Sequence, residues 1–376
     1  MNRRRVAVQL ISTGGIYGAE RVLLELAAYL HEQGWESYVV ALEGRGAAGL
    51  VREASAQGLA AQAFVEEGRM AFLPMLLRLR CLLAEHRQAI IHSHGYKPDL
   101  LLRLLNVPRR LACVATCHSA YSEKMKLRML ETAANRALRT FDHAVAVSEE
   151  IRTELLNSGM SPDRVTVISN GISELQADSS AREKVRSEFN LPAQCRLIVQ
   201  IGRLVPCKRI DLTIAAMMQL RCAAEVHLLL VGEGEQRKPL EEQISGSALA
   251  GRVRFCGYRR DVPRLLAAAD AFVLSSDSEG LPVAILEAMM VRCPIVATSV
   301  GAIPGVLAAG KDAWIVPPGD VTALAAAIDE TLGNPALARE RAESAHQRFE
   351  LEYSRDAMGR RYLRIYENVW IGRGWH

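Results

Sequence analysis

Residues 6–11, Val-Ala-Val-Gln-Leu-Ile, form a short apolar run that stops at a glycine-bearing turn, Ser12-Thr13-Gly14-Gly15. An amphipathic stretch follows over 19–33, with Val22, Leu23, Leu26 and Leu30 at helical spacing, and Gly34 closes it. Residues 37–42 are apolar again. Strand, glycine turn, helix, strand is the order of a parallel α/β sheet, because parallel neighbours need a crossover and not a tight hairpin. The same reading predicts strands at 89–92, 112–116, 143–147 and 165–168, with helices between them.

The polar stretch 173–193, with Asp178, Ser179 and Ser180, breaks this pattern. A second α/β series then begins at 196–201 and continues with strands at 226–231, 253–255, 271–274, 295–298 and 313–316. A last helix is expected over 354–369, with Met358, Tyr362, Ile365 and Tyr366 on one side. A chain of 376 residues exceeds one ordinary domain, and two cores fit its length. Low aromatic content, 5%, agrees with α/β layers better than with a β-sandwich. The expected division is a first domain at 1–172, a linker at 173–194, a second domain at 195–353 and a helix at 354–376 that returns to the first domain.

Composition narrows the function classes. No apolar run is long enough to span a bilayer. The start carries three arginines and a short apolar run that leads straight into a glycine turn, so a first strand is expected and not a signal peptide. Eight cysteines include Cys113 and Cys117 four apart, with no second pair at zinc spacing, so free thiols in a reducing cytoplasm and no metal site are expected. Residues 69–139 hold 13 Lys and Arg against 4 Asp and Glu, a local balance of +9 in a chain of net +4. That patch points to an anionic partner of the first half. Arg69, Arg78, Arg80 and Arg87 flank an apolar stretch, and Lys124, Lys126 and Arg128 interleave with Met125, Leu127, Met129 and Leu130. Such interleaving suits a helix lying on an anionic membrane and equally suits an ordinary surface helix with its arginines in water.

Four segments can carry chemistry. Gly14-Gly15-Ile16-Tyr17-Gly18-Ala19-Glu20 joins a strand to a helix, which suits a phosphate at a helix N-terminus or a plain tight turn. Gly202-Arg203-Leu204-Val205-Pro206-Cys207-Lys208 places two cations five residues apart on a strand-to-helix loop, where they can converge on one diphosphate or lie in solvent. Gly232-Glu233-Gly234-Glu235 is a turn with either a packing or a ligand-facing role. In Ser278-Glu279-Gly280-Leu281-Pro282-Val283-Ala284-Ile285-Leu286-Glu287-Ala288, Pro282 suits a first helical turn. Glu279 and Glu287 are then about two turns apart on one face, either to hold two ends of a ligand or as a dipole-favoured acid plus a surface Glu.

The glycine-rich start, Ala146-Val147-Ser148, Asn170-Gly171-Ile172, Gly202-Arg203 with Lys208, the Glu279–Glu287 segment and Val316-Pro317-Pro318-Gly319-Asp320 occur in that order. Together they resemble the retaining family-4 glycosyltransferases over nearly the whole chain. The resemblance implies the glycosyltransferase-B fold, α/β with two Rossmann-like parallel-sheet domains facing across a cleft. It implies transfer of a sugar from a nucleotide-diphosphate donor, such as a UDP-sugar or GDP-sugar, to a hydroxyl of a glycan or lipid-linked acceptor, in polysaccharide or glycolipid assembly. It implies that Arg203 and Lys208 hold the donor diphosphate, Glu287 the ribose and Glu279 the transferred sugar, assisted by the amides of Gly280 and Leu281. Gly14 and Gly15 would face the donor phosphate or the acceptor, His118 the anomeric centre, and Tyr258, in Gly257-Tyr258-Arg259, the base. His92 and His94 are weaker candidates for the cleft. Two departures stand out: Gly301-Ala302-Ile303-Pro304-Gly305 lacks the acid of the usual Gly-Gly-x-Pro-Glu, and Asp312-Ala313-Trp314 precedes Val316 where Gly or Asn is usual.

No Asp-x-Asp pair is present, so no metal and no cofactor beyond the nucleotide-sugar co-substrate is expected. No nucleic-acid partner is expected. The location expected is cytoplasmic, peripheral on the inner face of the plasma membrane. Competing readings are a nucleotide-sugar epimerase on the same fold, a non-catalytic nucleotide-sugar-binding assembly protein and a dinucleotide-dependent oxidoreductase, the last disfavoured because the first turn is not G-x-G-x-x-G.

Overall fold

Parallel strands buried on both faces read as continuous apolar runs, and β1 (Val6–Ile11) is buried along its whole length. It pairs in parallel with β2 (Glu36–Ala41) on one side and β4 (Ile90–His94) on the other. β3 (Ala60–Ala63), β5 (Ala112–Cys117), β6 (His143–Ala146) and β7 (Val165–Val167) complete a seven-stranded sheet in the order β3-β2-β1-β4-β5-β6-β7. β3 was not expected: Ala-Ala-Gln-Ala offers no β-branched side chain and alternates between exposed and half-buried positions at the sheet edge. The computed structural model describes residues 5–13, 18–42, 46–64, 72–86, 88–118, 125–173, 180–221 and 225–375, with the side chains of 72–73 and 125–128 also outside the description.

A second sheet is built from β8 (Arg196–Ile201), β9 (Val226–Val231), β10 (Val253–Gly257), β11 (Ala271–Leu274), β12 (Ile295–Thr298) and β13 (Trp314–Val316). Its order is β10-β9-β8-β11-β12-β13, and every pairing is parallel. Helices alternate with the strands in both units, so the two Rossmann-like parallel sheets expected are both present. Among the described residues no helix is long and apolar enough to cross a membrane.

The chain divides into two compact units, 1–173 with 352–376, and 174–351. The expected linker at 173–194 is therefore corrected. The helix Ala181–Glu188 buries Ala181 and Val185 and belongs to the second unit. Arg182 bonds Asp270 at 3.1 Å, and Glu188 pairs with Arg259 at 2.7 Å and Arg264 at 2.6 Å. Two buried apolar residues in a polar helix are too few to show as a periodic stripe.

The first unit is discontinuous in sequence. Its closing helix runs Arg355–Gly372, capped by Ser354, whose Oγ accepts from the Ala357 amide. The entry is pinned by a bridge in which Ile172 N–H donates to Tyr353 O and Arg355 N–H to Ile172 O. Met358, Tyr362, Ile365, Tyr366, Val369 and Trp370 of this helix join Trp35, Val22 and Leu26 in one core cluster. Trp35 meets Tyr366 and Trp370 edge-on, with centroids 5.4 and 5.5 Å apart. The helix lies against Gly18–Glu32 at Gly359, where a side-chain Cβ would stand 2.4 Å from the Tyr29 ring.

Candidate active site

In the second unit, β8 ends at Ile201 and its following loop carries Arg203 and Lys208; β11 ends at Leu274 and leads to Glu279. These adjacent strands bring the two segments together. Lys208 Nζ lies 2.5 and 2.7 Å from the two carboxylate oxygens of Glu279, and Ser276 Oγ donates to Glu279 Oε1 at 2.6 Å. The pair is largely buried, with Glu279 7% exposed and Lys208 18%. Such charge-assisted bonds at low exposure hold tightly, because removing either partner strands a desolvated charge.

The loop backbone is fixed from below by a buried polar cluster. Ser275 Oγ faces the carbonyls of Lys208 and Arg209 at 3.1 and 2.7 Å, and receives bonds from Gln200 and Thr213. Arg209, in a left-handed conformation at φ 46°, spans Asp211 and Asp277. Gly301, at φ 53°, leaves room for the Glu279 carbonyl, which any Cβ there would meet at 1.7 Å. Gly232 and Gly234 have a packing role: a Cβ on them would stand 1.9 Å from Gly202 O and 2.2 Å from Leu204 O.

Arg203 is exposed, and its guanidinium has no hydrogen bond or ion pair among the described residues. The helix Val283–Met290 starts one residue later than expected, with Pro282 as its cap and not in its first turn. Glu279 precedes the helix, as expected, and so shares no helical face with Glu287, which sits buried on it. Gly280 is exposed and Leu281 half-buried beside that N-terminus. Tyr258 is 65% exposed after β10. Gly14 and Gly15 lie outside the described residues.

In the first unit, His118 follows β5 and stands at the end of a buried polar chain. Its Nε2 lies 3.0 Å from His94 Nδ1, and His94 Nε2 lies 2.9 Å from Gln9 Oε1. Gln9 Nε2 donates to Tyr366 OH at 3.0 Å. Tyr366 OH meets His92 Nδ1 at 2.7 Å, His92 Nε2 meets Thr116 Oγ1 at 2.7 Å, and Thr116 meets Tyr362 OH at 2.9 Å. Burial lowers His92 to about 3 and His118 to about 4, and holds His94 well below its usual range, so all three are neutral at pH 7. Burial also raises Asp99, next to Ser93, to about 7.

Sequence reasoning missed Gln200, Ser275 and Ser276 in the second unit and Gln9, Thr116 and the two terminal tyrosines as polar partners in the first. One signal was available. Each unit's first central strand carries a lone glutamine near its end, Gln9 two residues before Ile11 and Gln200 one residue before Ile201. A buried amide in an apolar strand needs partners.

Comparison with known proteins agrees along the chain. A family model for glycosyltransferase family 4 matches residues 16–174, and one for glycosyl transferases group 1 matches 181–348. Neither describes an epimerase. A lipopolysaccharide core biosynthesis glycosyltransferase, LpsE of Rhizobium meliloti, is 32% identical over 48% of this chain, and the match spans about half, 52%, of that protein. An alpha-D-kanosaminyltransferase of Streptomyces kanamyceticus is 26% identical over 78% of this chain and 81% of its own. The crystal structure of Anabaena HepE with UDP superposes with a TM-score of 0.83 at 21% identity, over 97% of this chain and all of that one. With both units matched in order, the chain belongs to the group 1, family 4 glycosyltransferases.

Proposed function

We propose that this glycosyltransferase moves a sugar, with retention, from a nucleotide-diphosphate donor to a hydroxyl of a glycan or lipid-linked acceptor in cell-surface polysaccharide or glycolipid assembly. The observation that carries this reading is the grouping of an unpartnered Arg203, the Lys208–Glu279 pair and the N-terminus of the Val283–Met290 helix at the ends of β8 and β11. Breaking the bond to a diphosphate leaves negative charge on the departing oxygen, and two cations with a helix N-terminus can stabilise it without a metal. The Glu279 carboxylate is tied to Lys208 and Ser276, which makes it a poor nucleophile and favours front-face attack over a covalent intermediate. The relatives' names, a lipopolysaccharide core enzyme and a putative teichuronic acid biosynthesis enzyme, TuaC of Bacillus subtilis, support a cell-surface product. The UDP and UDP-glucose bound to HepE support a uridine donor.

The test is a calorimetric titration with UDP and GDP, followed by a transfer assay with anomeric readout by NMR. Arg203→Ala is expected to weaken diphosphate binding by about 2 kcal/mol, roughly 30-fold, because it strips a charged donor from a phosphate. Retained configuration at the product anomer and an unchanged rate after exhaustive chelation are expected. Unchanged affinity in Arg203→Ala, or activity that returns only with manganese or magnesium, refutes the corresponding part.

The working location we assign is the cytoplasmic face of an anionic membrane. On the helix Phe72–Glu85, Leu77 is 54% exposed beside exposed Arg78 and Arg80. Leu104, Met129 and Leu130 are also exposed on the same unit, and a groove of about 630 Å³ is lined by Arg80, Leu83, Leu104 and Arg110. Arg69, Arg87 and Lys124 lie outside the described residues, as do the side chains of Lys126 and Arg128. Each well-placed cation contributes about 1 kcal/mol at an anionic leaflet. Binding to anionic vesicles should rise with anionic lipid and fall with salt. Vesicles that bring down no protein at low salt would leave a soluble acceptor.

A further inference from the structure

The polar chain that ends at His118 has a direction, and Gln9 sets it. His94 Nε2 faces the carbonyl oxygen of Gln9 at 2.9 Å, and only an N–H can make that contact. His94 is neutral, so its Nδ1 is bare and can only accept. The 3.0 Å contact with His118 Nε2 then requires the proton of His118 on Nε2. His118 Nδ1 is left as a bare acceptor, and it is buried with no hydrogen-bond partner among the described residues. His118 also lines a small cavity of about 70 Å³ with Tyr96, Asp99, Cys117, Glu131 and Glu154. A buried lone pair without a donor costs free energy unless a ligand supplies one.

We propose that Gln9 is a positioning residue whose amide fixes the proton of His94, and through it that of His118, on Nε2. His118 thereby offers Nδ1 as an acceptor to an O–H donor of a ligand held by the first unit. Gln9 is itself oriented by its bond to Tyr366 on the terminal helix, so Tyr366 shares the task. The ligand half of this statement rests on the glycosyltransferase reading proposed above; the tautomer half does not. Turning the Gln9 amide over would place N–H against His94 Nε2, reverse every proton in the chain and put a proton on His118 Nδ1. The two arrangements make opposite demands on the ligand, an O–H donor in the first and an acceptor in the second.

Two-bond proton–nitrogen spectra of histidine-labelled, ligand-free protein at neutral pH read the tautomers directly. His94 and His118 are both expected as the Nε2–H form. Gln9→Leu should mix the tautomers at His118 and lower kcat about tenfold, with the KM for the donor nearly unchanged. Gln9→Glu keeps an oxygen facing His94 and should restore both the tautomer and most of the rate; Tyr366→Phe should give a milder version of Gln9→Leu. A wild-type spectrum with the proton on His118 Nδ1 overturns the proposal without any activity measurement. So does a Gln9→Leu enzyme with wild-type tautomers or wild-type kinetics. If the tautomers behave as stated but no nucleotide-sugar is turned over, the functional reading fails and the proton arrangement stands.

Discussion

Glu279→Gln is expected to lower kcat by about 100-fold or more while the protein keeps its secondary structure. The substitution preserves size and one acceptor oxygen but removes the charge that holds Lys208 Nζ at 2.5 and 2.7 Å. Lys208 would be left largely buried without a counter-charge, which costs about 1–3 kcal/mol of stability and lets the ammonium wander from the position proposed for the diphosphate. Lys208→Ala should cost a similar factor. The double variant should be far less damaged than the product of the two, since both changes break one pair. Circular dichroism separates folding from turnover. A Glu279→Gln enzyme with near-normal kcat would remove this residue from the chemistry.

The largest stability loss is expected from Gly359→Leu. A Cβ alone would stand 2.4 Å from the Tyr29 ring where the helices Gly18–Glu32 and Arg355–Gly372 touch, and a full isobutyl group would force them apart. The cost of overpacking, about 1–3 kcal/mol, adds to the partial exposure of Tyr362, Tyr366 and Trp370. A total of about 4 kcal/mol should lower the melting point of the first unit by roughly 10 °C. Tryptophan emission suits the measurement, because Trp35, Trp370 and Trp375 lie in the first unit and Trp314 alone in the second. Melting unchanged from wild type would mean the helix tolerates a gap that the packing at Tyr29 denies.

Much of the fold was legible because parallel strands buried on both faces leave unbroken apolar runs. Val6–Ile11, Arg196–Ile201 and Val226–Val231 are such runs but for Gln9, Arg196, Gln200 and His227, and they stand where the apolar pattern put them. Ala60–Ala63 was hidden because an alanine-rich edge strand has no hydrophobic signature, and Ala181–Glu188 because a polar helix can join a unit through two small residues and a set of ion pairs. The candidate site was legible as segments but not as partnerships. Lys208 and Glu279 were read as separate ligand contacts, since their pairing depends on β8 and β11 being neighbours, which no local pattern states. The chain from His118 to Tyr362 draws on β1, β4, β5 and the last helix. The sequence offered its histidines as separate candidates, and the one sign that they are linked is an amide, Gln9, in an apolar strand.

The split of the first unit across both ends of the chain sets an order of events during synthesis. Residues 1–173 leave the ribosome without the helix Arg355–Gly372, so Trp35 has no aromatic partners and Gln9 and His92 have no tyrosine to bond. The intervening residues 174–351 are contiguous and can fold as they appear, over roughly 10–35 s at ordinary translation speed. For that interval the nascent chain carries an uncovered aromatic face on its older half while its younger half is already closed. The stretch made after residue 351 is the piece that finishes the domain begun before residue 174.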